Sequence, residues 1–206
     1  MKPLITTVLA TWFGLVFLLA ANGAFARPPE VPPVPILLGV TLPVAVFLAA
    51  YFASAAMQAA ILAADLRLLT AIQAWRAGGL GFLALHAHGV LPGLFAWPAG
   101  LGDIAIGVTA PWMALALIRR PAFVSSRLFV VWNLLGILDL IVAVGTGALS
   151  SGFVAGLVGN LTTAPMAQLP LVLIPAYLVP LFITLHLTAL FQARIAAAST
   201  SPPGAA

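Results

Sequence analysis

The sequence predicts an all-α fold: a polytopic transmembrane helical bundle of about six spans, with one cytoplasmic-side amphipathic helix. Three observations predict it. The 206 residues are 63% hydrophobic and only 6% charged, whereas a soluble domain carries about 25% charged residues. Mean hydropathy is +1.19. The apolar residues fall into blocks of roughly 20, the length a helix needs to cross a bilayer. A chain built almost wholly of such blocks forms one membrane domain, residues 1–195. The tail at 196–206, rich in Ala, Ser, Pro and Gly, is expected to be disordered.

Six segments follow in order. The first is 4–25, ended by the proline-rich turn at 27–33. The second is 36–56 and contains Pro43. Residues 57–76 read as an interfacial helix, because Ile61, Leu68, Ile72 and Trp75 recur at helical spacing while Asp65, Arg67, Thr70 and Arg76 interrupt the apolar surface. The third span is 79–96, and the Trp-Pro-Ala-Gly-Leu-Gly run at 97–102 predicts a turn into the fourth, 102–118. The fifth is 128–149. A charge-free loop at 150–168 leads to the sixth, 169–191.

The cations are spread along segment ends rather than gathered in a patch, so the pI near 10.8 reports topology and predicts no nucleic-acid partner. Six spans place Lys2, Arg67, Arg76, Arg119, Arg120, Arg127 and Arg194 on one side and Arg27 alone on the other. That asymmetry predicts a bacterial inner-membrane protein with both termini cytoplasmic. The first segment also reads as a signal peptide, with Ala24-Phe25-Ala26 as an A-x-A cleavage site. Cleavage there leaves the remaining five spans with the same orientation. The bilayer is the first partner expected, and the small size suggests a homo-oligomer or a subunit of a larger membrane complex. The absence of cysteine excludes disulfides, thiolate metal sites and cysteine nucleophiles.

Four stretches, LRLLTAIQAWR at 66–76, PAGLGD at 98–103, WNLLGILD at 132–139 and MAQLPLVLIP at 166–175, resemble an uncharacterised family of bacterial multi-pass inner-membrane proteins. The resemblance covers the second to the sixth segment. It implies the architecture, and no activity comes with it.

Ionisable and polar residues inside spans are the candidate functional groups. Asp139 lies in the fifth segment, about 18 Å from the level of Arg127 at 1.5 Å per residue. It shares a helix face with Trp132, Gly136, Ala143 and Thr146. Gly100, Asp103, Gly107 and Ala110 repeat the pattern in the fourth segment. Asp139 is therefore expected to face the helix of Asp103 and, with no Lys or Arg assigned to its depth, to hold a proton at neutral pH. Asp103 has a second reading as a helix cap after the glycine-rich turn. His88 and Asn133 complete the candidate buried polar or ion site. His86 and His186, at nearly matched depths, form a candidate axial pair for haem or a metal; otherwise each hydrogen-bonds a neighbouring helix. Pro175 and Pro180 remove backbone donors in the sixth segment and are candidates for a broken helix with bare carbonyls.

Phosphate-binding loops, dinucleotide fingerprints, zinc-protease helices and serine-nucleophile elbows are missing from the sequence, so it leans away from an enzyme. Three functions remain. The first is an accessory or assembly protein whose polar cluster holds helices together. The second is a small proton- or cation-coupled transporter or channel using Asp139 and Asp103. The third is a haem-binding membrane protein using His86 and His186; on the other two readings no cofactor is expected.

Overall fold

The computed structural model describes residues 2–28, 30–154, 156–157 and 159–200. Among them the structure is helical, with no strand. Helix α1 (Lys2–Ala21) stops at Asn22-Gly23, where Gly23 takes a φ of 71° that a side chain would resist. The proline-rich loop follows. Helix α2 (Val34–Ala53) begins with Pro35 in its first turn, where a missing N–H costs nothing. Ser54 caps α3 (Ala55–Leu62) by accepting the Met57 N–H. Asp65 caps α4 (Leu66–Ile72) by accepting the Arg67 N–H at 3.0 Å.

The middle of the chain departs from expectation. After α4 the helical path tightens into a 3₁₀ segment (Gln73–Gly79) and continues as α5 (Leu80–Ala87) without a turn. The turn falls at 88–92 instead, where Gly89 has a φ of 68° and Pro92 precedes α6 (Gly93–Arg119). The Trp97–Gly102 run therefore lies inside one 27-residue helix, about 40 Å long at 1.5 Å per residue. Pro98 sits near the start of α6, where few backbone partners are lost, and Gly100 and Gly102 serve close packing rather than a turn. The expected interfacial helix at 57–76 is divided accordingly. Its first part is α3, which has no buried residue, and its second part opens the third long helical run.

Ser126 caps α7 (Arg127–Leu149). The loop beyond is anchored where Thr163 donates its N–H to Ser150 O and its hydroxyl to Gly147 O, at 2.9 and 2.7 Å. A wide π-turn (Ile174–Leu178) leads into α8 (Val179–Thr200). Residues 196–200 of the expected disordered tail continue this helix, and 201–206 lie outside the described residues.

Five helices are long and apolar enough to cross a membrane: Val34–Ala53, Leu66–Ala87, Gly93–Arg119, Arg127–Leu149 and Ile174–Ser199; a shorter apolar helix covers Ile5–Ala21. Their outward faces are apolar as well, with Val46, Leu138 and Ile141 each more than half exposed. Large contiguous patches of that kind are rare on soluble monomers. Helix α1 rests on the π-turn, where Trp12 and Phe13 pack on the Tyr177 ring and its hydroxyl donates to Leu9 O at 3.3 Å.

Candidate functional site

The continuous run from α4 to α5 carries Arg76 into the centre of the bundle, where its side chain is fully buried. Backbone fit explains how it gets there. Gly107 of α6 lies against the backbone of Arg76 and Ala77 so closely that a methyl group would overlap Ala77 N. A carbon added at Gly100 would stand 2.8 Å from the Leu83 side chain and 3.0 Å from Gly79 O. The stripe Gly100, Asp103, Gly107 and Ala110 thus faces the 3₁₀ segment and α5. Gly107 therefore packs on the backbone after Arg76 and not on α7.

Arg76 collects the polar groups of three other helices. Its Nε donates to Asp103 Oδ1 at 2.7 Å, and its Nη2 donates to Asp139 Oδ2. Its Nη1 donates to Gly136 O at 3.2 Å and contacts His186 Nε2 at 3.0 Å. A guanidinium only donates, so His186 Nε2 accepts and the ring proton sits on Nδ1. That N–H points to Asn133 Oδ1 at 2.8 Å, and Asn133 Nδ2 donates to Phe129 O at 2.9 Å. The histidine is therefore a neutral, oriented relay between arginine and asparagine. The Trp132 ring stands edge-on to it, 5.5 Å away, and donates its N–H to Thr109 Oγ1.

Glycine again makes the geometry. A side chain at Gly136 would overlap His186 Nε2, and one at Gly102 would overlap the Asp139 carboxylate. The missing side chains leave room for the His186 ring against α7 and for the Asp139 carboxylate against α6.

Of the expected site residues, the structure brings together Asp103, Asp139, Asn133 and His186. His88 is exposed at the C-terminus of α5 and belongs to no cluster. Asp103 lies ten residues inside α6, so it caps no helix. The expectation that Asp139 has no cation at its depth is corrected by Arg76, which sits between the two acids. His86 is elsewhere, its Nδ1 2.9 Å from Leu91 O and its ring against Trp97. Both ring nitrogens of His186 are engaged within the cluster, so the histidines as arranged do not fit a haem axial pair. Among the described residues, no group of three His, Cys, Asp or Glu is placed to hold a metal ion. Pro175 belongs to the π-turn, and Pro180 is buried in the first turn of α8. The carbonyl one turn before Pro175, at Leu171, accepts the Ile174 N–H at 3.0 Å and is not bare.

Arg76 is the residue that sequence reasoning missed, because it was counted among the loop cations. Two signals point to it. Two acids inside long apolar helices call for a cation at their depth, and the Gly89–Pro92 stretch is a turn signal as good as the one at 97–102. Gln73, one turn before Arg76, was missed too. It is 1% exposed and donates to Phe182 O at 3.4 Å.

A cavity of about 90 Å³ reaches the cluster. Asp103 lies at its inner end. Leu140, Ala143, Val144, Gly147 and Ala148 line it along one face of α7, with Ser151 just beyond the helix, and Arg27 and Thr163 border it at the far end. On the opposite side of the cluster the helices close. Phe129, Leu117 and Ala189 pack together there, almost wholly buried, towards the ends that carry Arg119, Arg127 and Arg194. Asp103 is thus approachable from the cavity, whose lining does not include Asp139. Two carboxylates face one guanidinium, so the cluster has an unbalanced negative charge whenever both are ionised. A proton or a cation balances it.

No curated protein and no solved structure matches the chain. Residues 33–194, the greater part of the sequence and all of the Arg76 cluster, match the family described as Domain of unknown function (DUF8737), and the chain belongs to that family.

Proposed function

We propose that the chain is a multi-pass protein of a bacterial inner membrane in which the Arg76 cluster is a proton- or cation-binding site open to the outer side, as in a small ion-coupled transporter. The orientation rests on the basic residues. With 66–87 as a span, Lys2, Arg67, Arg119, Arg120, Arg127 and Arg194 fall on one side and Arg27 on the other. Six against one puts both termini in the cytoplasm. On that orientation the open end of the cavity, at Arg27 and Thr163, faces outwards.

One observation carries the functional reading: Asp103 is bonded to Arg76 and also lines the cavity. A carboxylate that shares a buried guanidinium and opens to one side can take up a proton and loosen the pair, and proton relays in membranes are built from such groups. The test is a pH jump across proteoliposomes carrying the purified protein. Wild-type protein should take up or pass protons in response to acid on the outer face, and Asp103→Asn should abolish the response while still folding. An unchanged response in that variant would sink the reading.

A second reading has its own support. Arg76 uses four of its five N–H bonds on protein groups, which is what a purely structural tie would do. An accessory or assembly protein with such a tie would show no proton response at all and would lose only stability in the same variant.

A further inference from the structure

We propose that the cavity beside α7 binds a straight-chain primary ammonium ion, with its head on Asp103 and its alkyl chain along the helix. This rests on the outward-open cation site proposed above and names its ligand. The shape comes first. Leu140, Ala143, Val144, Gly147 and Ala148 recur at offsets of three, four, seven and eight, so they form one stripe, and Ser151 follows just beyond the end of α7. The stripe is about 12 Å long at 1.5 Å per residue. The cavity follows this stripe and holds about 90 Å³, an elongated space that suits a short chain and excludes a bulky body. Between Asp103 and the mouth its walls are mostly apolar, with Phe82, Phe95 and Met166 beside the small residues of α7, and Ser151 and Thr163 are polar groups towards the outer end.

The chemistry of the ends follows. Asp103 spends Oδ1 on Arg76, and its Oδ2 has no hydrogen-bond partner among the described residues. An ammonium head with three N–H donors suits that oxygen and supplies the positive charge the cluster lacks. A bare alkali ion finds no further oxygen ligands in an apolar slot, which could not replace its hydration shell. An anion is disfavoured because the Arg76 side chain is fully buried and already bonded to both acids. Arg27 stays at the mouth, where its charge is separated from the floor by the length of the slot.

The experiment uses the full chain in nanodiscs, titrated calorimetrically with butyl-, hexyl- and octylammonium, with hexanol as the uncharged analogue and tetraphenylphosphonium as the bulky cation. Partition into lipid is removed by subtracting the Gly147→Val variant. A carbon at Gly147 meets the Phe95 ring at 3.4 Å, an ordinary contact, and the further methyls of valine intrude on the slot; circular dichroism of the variant checks that it folds. Wild-type protein should show a saturable excess over the variant, rising roughly three- to fourfold per buried methylene. Hexanol should bind at least tenfold more weakly than hexylammonium, and tetraphenylphosphonium should show no excess. Equal binding in wild type and Gly147→Val, or equal binding of hexanol and hexylammonium, overturns the proposal. Where the proton response of wild type persists and depends on Asp103 but no ammonium excess appears, the ligand is wrong and the outward-open site stands. Where both are missing, the site reading falls with it.

Discussion

Arg76 Nε stands 2.7 Å from Asp103 Oδ1, joining residues that lie 27 positions apart on separate helices. Asp139 occupies the other arm of the same guanidinium. The bidentate fork holds two carboxylates from two helices at once, something the single point charge of a lysine does poorly. The fork makes the three-helix junction dependent on one side chain.

Arg76→Leu should therefore destabilise the folded protein by about 3–5 kcal/mol, because removing one partner of a buried pair strands the other. Arg76→Lys should cost less than leucine but clearly more than zero. A triple variant, Arg76→Leu with Asp103→Asn and Asp139→Asn, should recover at least half of the loss. Unfolding in mild detergent, followed by circular dichroism, measures all three. A triple variant no more stable than Arg76→Leu alone would show that the charges are not what the arginine serves.

Gly136→Ala and Gly102→Ala should each destabilise, since the added carbon would overlap the His186 ring and the Asp139 carboxylate. Overpacking of this kind typically costs about 1–3 kcal/mol. Gly14→Ala and Gly81→Ala are the matched controls, because nothing lies within 4 Å of a carbon added there. They should be neutral or slightly stabilising, as helix interiors favour alanine over glycine.

Asn133→Leu removes the acceptor that orients the His186 ring through Nδ1. With that acceptor gone the imidazole can flip, and Nε2 no longer stays fixed on Arg76. The expected loss is about 1–3 kcal/mol, the cost of an unsatisfied buried donor. Asn133→Asp should keep the ring orientation and restore most of it. Nitrogen-15 spectra of the His186 ring report the tautomer directly: proton on Nδ1 in wild type, a mixture in Asn133→Leu.

Cysteine labelling locates the third span. With no native cysteine in the chain, single cysteines at Ala64, Trp75, His88 and Asn160 can each be probed with an impermeant thiol reagent. Ala64 should react only in inside-out vesicles, and His88 and Asn160 only from the outer face. Trp75 should react from neither side. Reactivity of Trp75 from the cytoplasmic face would restore the interfacial reading of 57–76.

Helix content and approximate length were legible because apolar blocks of about 20 residues have few alternatives. Registry was harder. The third helix starts 13 residues before its expected position and the fourth nine before, for a reason visible in Arg76: a basic residue near a weakly apolar stretch reads as a loop cation until its acids are seen in space. The same error disguised Asp103 as a cap. The glycine and aspartate stripes correctly marked close-packed faces, but spacing alone does not name the partner of a face. Gly107 meets Ala77 rather than α7, and Gly136 meets His186. His186 was noticed for its depth, yet its role depends on Asn133 and Arg76, 53 and 110 positions away.

The order of the cluster along the chain has a consequence for biogenesis. Arg76 leaves the ribosome before either group that will neutralise it: Asp103 follows 27 residues later and Asp139 63, while His186, a neutral acceptor, comes 110 later. At a helix centre an arginine opposes insertion by about 2.5–3.5 kcal/mol on the translocon scale. The segment Leu66–Ala87 is thus a poor candidate to partition into lipid alone. It should linger beside the translocon until α6, and then α7, emerge as counter-ion carriers, and the three should enter the bilayer as a group.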